Sequence, residues 1–459
     1  MILDEVVDKV PEYKEFLTVD ELNKSADALA DEFDVVEKVK IGESGDGRPI
    51  SYLKIGDGPK NALLFAFPHP NEPIGSMTVE YLSRYLAENP ETVEELGYTW
   101  YLIKAIDPDG AALNEGWFKG DFTPLKYAQN YYRPPMHEQM EWTFPVEYKN
   151  LKFDSPPPET RALMGLIDKV KPEFMFSLHN AGFCGVYYYI SHPNDALYPQ
   201  YEKLVDSQYL PLHRGEPEVP FIKKLAPAVF SMFGISESYD FYEENGVEDP
   251  SQIIKSGTSS DDYLLSVTGN KGVTLVCEMP YFYDKALGDN ALTEHERRDL
   301  VIDANNYSKE MYEYLKPKFD SIRDHCPKNH RLYTTVEDSM DNFLKRHEPR
   351  MNNAQNNPMY EGKATVAQAF DSLTAMRYYQ TFRPAMTARL CALAAQKTPG
   401  KAKLFNDLKA ELDGYVEDKV KDVISGTDFE VIPIQKLVKV QVGSALITMQ
   451  SLKLFFSAL

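Results

Sequence analysis

Two histidines and two glutamates, His69, Glu72, His179 and Glu278, are the residues of this chain best suited to metal-centred hydrolysis. A catalytic zinc takes three nitrogen or oxygen ligands from the protein and keeps a fourth position for water. His69 and Glu72 follow the apolar run 61–67, His179 follows 173–178, and Glu278 follows 272–277. Each run has the length and β-former content of a buried strand. In an open α/β sheet, ligands bind at the carboxyl ends of the strands, so residues far apart in sequence converge there. A lone histidine beside an apolar run is more often a hydrogen-bonded structural residue than a ligand, and a single HxxE is weak. Two histidines and two glutamates, placed past three separate strand-like runs, form a specific pattern that points to a zinc hydrolase with one Zn2+ per chain.

The elements that must position these residues follow from periodicity. Strand and helix signals alternate through the first 315 residues, which predicts an α/β catalytic domain over 1–318. Residues 19–33 read as a helix starting at Asp20, 74–88 as the helix after the HxxE loop, and 98–106 as a strand. The proline-rich stretch 116–158 is irregular and is expected to form part of a cleft wall, since loops of that length are often functional. A second insertion, 192–260, separates His179 from Glu278 and is expected to carry substrate selectivity. After Pro317 the character turns to charged helical segments, so 319–459 is read as a mainly helical C-terminal region. Its segments 364–397 and 401–424 are helical in composition and are split by Pro399-Gly400, a strong breaker. Residues 429–433 read as a strand, and 438–456 as two strands around Gly443. A chain of 459 residues exceeds what one hydrophobic core usually spans, so two domains are expected.

Several ordered segments resemble the zinc carboxypeptidases typified by carboxypeptidase A. Residues 41–50, Ile-Gly-Glu-Ser-Gly-Asp-Gly-Arg-Pro-Ile, are similar to that family's iGxSxxGRxI segment and precede the HxxE of His69 and Glu72. Asp107-Pro108-Asp109-Gly110 resembles the family's Asn-Pro-Asp-Gly turn, and Pro158-Glu159-Thr160-Arg161-Ala162 its helix-opening segment before the third-ligand strand. Ser260-Asp261-Asp262-Tyr263 resembles the Ser-x-Asp-aromatic segment that precedes the catalytic glutamate, here Glu278. The resemblance covers residues 10 to 315. It implies a mixed, mostly parallel sheet flanked by helices, with His69, Glu72 and His179 as metal ligands and Glu278 as general base. It also implies a guanidinium for the substrate carboxylate. Between Gly110 and Glu159 the only arginine is Arg133, assigned by elimination, and Gln129-Asn130-Tyr131-Tyr132-Arg133 resembles the family's Asn-Arg pair, making Asn130 a second substrate contact. Arg161 reads as a surface residue, and Arg214 is a further candidate. Asp261 falls where basic-specific relatives carry an acidic residue at the pocket base. Ile254 stands where the best-known members carry a mobile tyrosine, and Tyr239, Tyr242, Tyr281 and Tyr283 are nearby in sequence.

Three functions fit these residues. One is a carboxypeptidase acting on peptides, and another is a related zinc amidohydrolase acting on acyl amino acids or cell-wall peptides. A non-catalytic binding protein is disfavoured, because every residue of the zinc and base chemistry is present. The net charge of −21, with 70 acidic against 49 basic residues, argues against nucleic-acid binding, which needs basic surface. No run approaches the ~18 apolar residues of a membrane span, and the acidic start lacks a basic segment leading into an apolar one. A cytoplasmic location is expected, with a homo-oligomer left open. Four scattered cysteines read as reduced, buried small residues. His137-Glu138-Gln139-Met140-Glu141 lacks the second histidine of HExxH and reads as a solvated loop. There is no Gly-rich nucleotide fingerprint and no GxSxG elbow.

Overall fold

The computed structural model describes residues 2–457. Its centre is a nine-stranded sheet built from Val36–Glu43 (β1), Pro49–Ile55 (β2), Lys60–Ala66 (β3), Tyr98–Ile103 (β4), Phe174–Leu178 (β5), Tyr187–Ile190 (β6), Lys224–Ala226 (β7), Val229–Ser231 (β8) and Val273–Glu278 (β9). The strand order is β1-β2-β4-β3-β5-β9-β6-β8-β7. Neighbours β4, β3, β5 and β9 run parallel, while β6 pairs antiparallel with β9. The sheet is therefore mixed and mostly parallel at its middle, as the resemblance implied.

Side-chain alternation places this sheet between two layers. From β3, Ala62, Leu64 and Ala66 enter the larger core with Met77 and Leu82 of the helix Ile74–Glu88. Leu63 and Phe65 face the other way, onto Leu163 and Leu166 of the helix Pro158–Val170. Burial on both faces explains why these strands read as unbroken apolar runs. Gly75 lets the first of these helices press on the sheet, since a Cβ there would lie 2.5 Å from Leu178 Cβ.

Helix 19–33 is observed as Val19–Glu32, begun by Thr18 rather than Asp20: Thr18 and Glu21 form a capping box. Strand 98–106 ends at Ile103. The stretch 116–158 is irregular but contains the helix Pro124–Asn130 and a small hairpin, Val146–Tyr148 with Leu151–Phe153. Segment 364–397 is broken at a π-turn, Asp371–Ala375, before the helix Phe382–Lys397, and 401–424 is the helix Ala402–Ile424. Strand 429–433 is reduced to Glu430–Val431, paired with Phe282 and Tyr283.

The expectation for 438–456 is corrected. These residues belong to one helix, Ile434–Ser457, rather than two strands. Val438, Val440, Val442, Ala445 and Leu446 are all buried, so the helix is enclosed on most sides, and packing overrides the β preference of its valines. Gly443 is a point of close approach instead of a turn: a Cβ there would lie 2.7 Å from Leu204. Buried Gln441 accepts from Thr78 Oγ1 at 2.7 Å and donates to the His179 carbonyl at 2.8 Å, which ties this helix to the end of β5. No described helix is long and apolar enough to cross a membrane, and all four cysteines are free and buried.

Three of the segments that carried the family resemblance meet in a shared ionic cluster, whose Asp107 turn packs against Pro70, next to His69. Asp109 accepts from Ser44 Oγ at 2.8 Å, Arg48 at 2.6 Å and Arg331 at 2.9 Å, and Glu159 accepts from the Gly45 amide at 3.0 Å. Asp107 accepts from the Gly110 amide at 2.9 Å, which closes the turn. Arg331 comes from the C-terminal region and supplies positive charge to three buried carboxylates.

Burial pushes the Asp107 carboxyl up to about 7 in spite of Arg331. In the unfolded chain it titrates at about 4, so between these values the folded state binds more protons and stability falls as pH rises. Asp107→Asn keeps the acceptor for Gly110 and removes this titration. Its melting temperature is expected to drop less than that of the wild type between pH 5 and pH 8; identical pH profiles would refute the account. Gln441→Leu leaves the His179 carbonyl and the Thr78 hydroxyl buried without their partner. Urea denaturation should show a loss of about 1–3 kcal/mol, and a neutral result would mean that neither group depends on Gln441.

Candidate metal centre

Three adjacent parallel strands, β3, β5 and β9, end at the same edge of the sheet. Ala66 pairs with Leu178 across β3 and β5, and Ser177 with Val276 across β5 and β9. His69, His179 and Glu278 all lie at or just past those ends. Phe67 starts the turn out of β3 with φ of +58°, a left-handed conformation unusual for a bulky residue, held by complete burial of its ring.

The four residues converge. Ligand-capable atoms of His69, Glu72 and His179 lie within 4.8 Å of one another. His69 Nδ1 is 3.1 Å from Glu72 Oε1, His179 Nδ1 is 2.9 Å from Glu72 Oε2, and the two Nδ1 atoms are 3.1 Å apart. Glu278 Oε1 stands 3.8 Å from His179 Nδ1, and its Oε2 is buried with no hydrogen-bond partner. Glu72 is 2% exposed and Glu278 7%, so bulk water does little to solvate their charge.

The electrostatics follow from that enclosure. Burial opposes ionisation of Glu72, yet the two imidazoles outweigh it and hold the carboxyl below its usual range. Burial also works against charge on His179, but Glu72, Glu278 and Glu141 raise it to about 9. His69 is driven down to about 3 by burial and by the Arg133 guanidinium. Glu278 is pushed well above the ordinary carboxylate range, by burial first and then by Glu72. A set of one carboxylate and two imidazoles, with an orphaned carboxylate oxygen beside it, suits a divalent cation of zinc type.

His179 is oriented from behind. Ser177 Oγ donates to Glu141 Oε2 at 2.9 Å, so its oxygen is left to accept from His179 Nε2, also at 2.9 Å. Nδ1 is thereby left on the side of Glu72 and His69, where it donates to Glu72 and where its lone pair would be free for a metal once that proton is lost. Glu141 is further held by Ser260 Oγ at 2.5 Å. This corrects the reading of 137–141 as a solvated loop: Gln139 and Glu141 are buried, and Glu141 supports a site residue. No local signal marks Glu141, because its partners, Ser177 and Ser260, come from distant segments.

Arg133 also reaches the group, with Nη2 2.7 Å from His69 Nε2 and Nη1 3.5 Å from Glu72 Oε1. Arg214 and Arg161 do not: Arg214 faces Glu202, and Arg161 donates to the Pro156 carbonyl. Asn130 is turned away, its amide donating to the Lys126 carbonyl at 2.9 Å within its own helix. Asp261 sits at the far end of β9. It accepts from Ser191 Oγ at 2.7 Å, and that hydroxyl oxygen accepts from the amide of Thr274, four residues before Glu278, also at 2.7 Å. At ~3.3 Å per residue this is roughly 13 Å along the strand, so Asp261 serves as a buried acceptor and does not face the His-Glu-His group. Ile254 packs against Leu151, Ile235 and Tyr239 in a separate small core. Among the four tyrosines near it in sequence, Tyr281 lies nearest the site residues, with its hydroxyl donating to the Asn71 carbonyl at 3.0 Å. Tyr187, directly opposite Glu278, and Tyr189, whose hydroxyl donates to Glu218 at 2.7 Å, extend the same face and had no sequence signature.

Similar solved structures include carboxypeptidase A from Helicoverpa armigera, at 15% identity over 62% of this chain and 72% of that one, with a TM-score of 0.40. Another is bovine thrombin-activatable fibrinolysis inhibitor, at 15% identity over 59% of this chain and 87% of that one, with a TM-score of 0.34. A comparison with curated proteins found no match. The family model described as zinc carboxypeptidase matches residues 22–281, more than half of the 459-residue chain and a span that contains His69, Glu72, His179 and Glu278. This chain belongs to the zinc carboxypeptidase family of metallopeptidases.

Proposed function

We propose that the chain is a zinc-dependent carboxypeptidase that hydrolyses the C-terminal amide bond of peptides, with His69, Glu72 and His179 holding one zinc and Glu278 moving the protons. The observation that carries this reading is the meeting of an unpartnered carboxylate oxygen on Glu278 and the Arg133 guanidinium at one enclosed His-Glu-His group. When bound there, zinc supplies Lewis acidity, which acidifies water and polarises a carbonyl. Glu278 removes the proton of the attacking water. The same carboxyl group, protonated by that step, then passes the proton to the leaving amine. Arg133 offers a planar fork that fits two oxygens of a terminal carboxylate. Glu141, acting through Ser177, keeps the His179 ring in place.

The reading is tested with zinc-loaded protein on blocked dipeptides of varied C-terminal residue, alongside N-acetyl amino acids. Release of the C-terminal residue is expected, and cleavage of N-acetyl amino acids without any peptide would replace the peptidase by a deacylase. Glu278→Gln should retain one zinc per chain while losing about 10²- to 10⁴-fold in kcat; stoichiometric loss of zinc would make Glu278 a ligand. His69→Ala should lose zinc and activity together. Full activity in that variant would sink the site.

A further inference from the structure

Arg133 follows the short helix Pro124–Asn130 in a stretch that belongs to no strand, so its direction depends on what holds the preceding main chain. Asn114 fixes one residue of it, donating to the Tyr132 carbonyl and accepting from the Tyr132 amide, both at 2.9 Å. The two carbonyls before that are held from outside the matched span 22–281, by Arg389 of the helix Phe382–Lys397. Its Nη1 donates to the Asn130 and Tyr131 carbonyls, each at 2.8 Å, and its Nη2 to the Leu113 carbonyl at 2.6 Å. The same helix stacks Phe382 on the Tyr131 ring, with centroids 4.1 Å apart.

A guanidinium directed at three main-chain carbonyls orders backbone, because its donors leave in fixed, divergent directions and each bond is charge-assisted. Burial lowers the Arg389 pKa only to about 10, so it stays cationic at neutral pH. Two of its three acceptors lie within three residues of Arg133. We infer that Arg389 is a positioning residue for Arg133, and that the C-terminal helical region thereby completes the wall of the site that grips the substrate carboxylate. The inference rests on the proposed role of Arg133.

Calorimetric titration of the zinc-loaded full chain with N-benzoylglycine, a product-like carboxylate, and with its amide separates the possibilities. Arg389→Gln should weaken N-benzoylglycine about 10-fold or more, as loss of a supporting partner does elsewhere, while leaving zinc content and the amide's affinity unchanged. Arg389→Lys, which keeps the charge but not the divergent donors, should fall between. An Arg133→Gln, Arg389→Gln double variant should be no weaker than Arg133→Gln alone, since the two act through one contact. Additive losses, equal weakening of the amide, or an unchanged affinity in Arg389→Gln would overturn the inference. If Arg389→Gln fails to fold, the Arg389→Lys variant carries the same coupling test with Arg133→Gln. Should Arg133→Gln itself leave binding unchanged, the carboxylate role of Arg133 falls and this inference with it. Weakening by Arg133→Gln but not by Arg389→Gln rejects the inference alone.

Discussion

Parallel pairing of three adjacent strands is the constraint on which the site depends. β3, β5 and β9 must end together, because their registers are locked by core side chains on both faces of the sheet. A slip of one residue in any of them would turn its apolar set to the wrong layer. The same register that satisfies the core thus delivers His69, His179 and Glu278 to one edge. The left-handed turn at Phe67 and the close approach at Gly75 bring Glu72 back over that edge.

Burying so many polar groups requires that most be answered by another. Glu72 is answered by two imidazoles and Arg133, His179 by Ser177 and Glu141, and the His179 carbonyl by Gln441. An unpaired buried charge costs several kcal/mol, so the network either holds together or loses much of its stability at once. Among the buried side-chain polar atoms without a partner in the described residues, Oε2 of Glu278 is the one carboxylate oxygen, and it lies beside the His-Glu-His group.

The C-terminal region is woven into the same economy of polar contacts. Arg331 answers the acidic cluster of the Asp107 turn, Gln441 reaches β5, and Arg389 orders the approach to Arg133. One continuous hydrophobic cluster runs from Val6 through the sheet to Leu452. A region that lies outside the family match therefore touches the core, the ionic cluster and the site.

The amino-acid sequence by itself determined the candidate residues for the proposed chemistry and the strands that carry them. Local apolar runs and an HxxE after one of them are properties of short stretches, legible without partners. The helices at 19–32 and 74–88 were readable for the same reason, apart from the exact cap. What only the tertiary structure decided was which polar residues meet across distance. Asp261 sat in a suggestive motif but was carried to the wrong end of β9, and Asn130 turned back onto its own helix. Glu141 and Arg389 were hidden because their partners lie far along the chain or on main-chain carbonyls. The valine-rich segment 438–452 folds as a helix against its local preference, because burial outweighs propensities of a few tenths of a kcal/mol per residue. Local preference acts over a turn or a strand; register, burial and charge compensation act over the whole molecule, and they had the final say on the site.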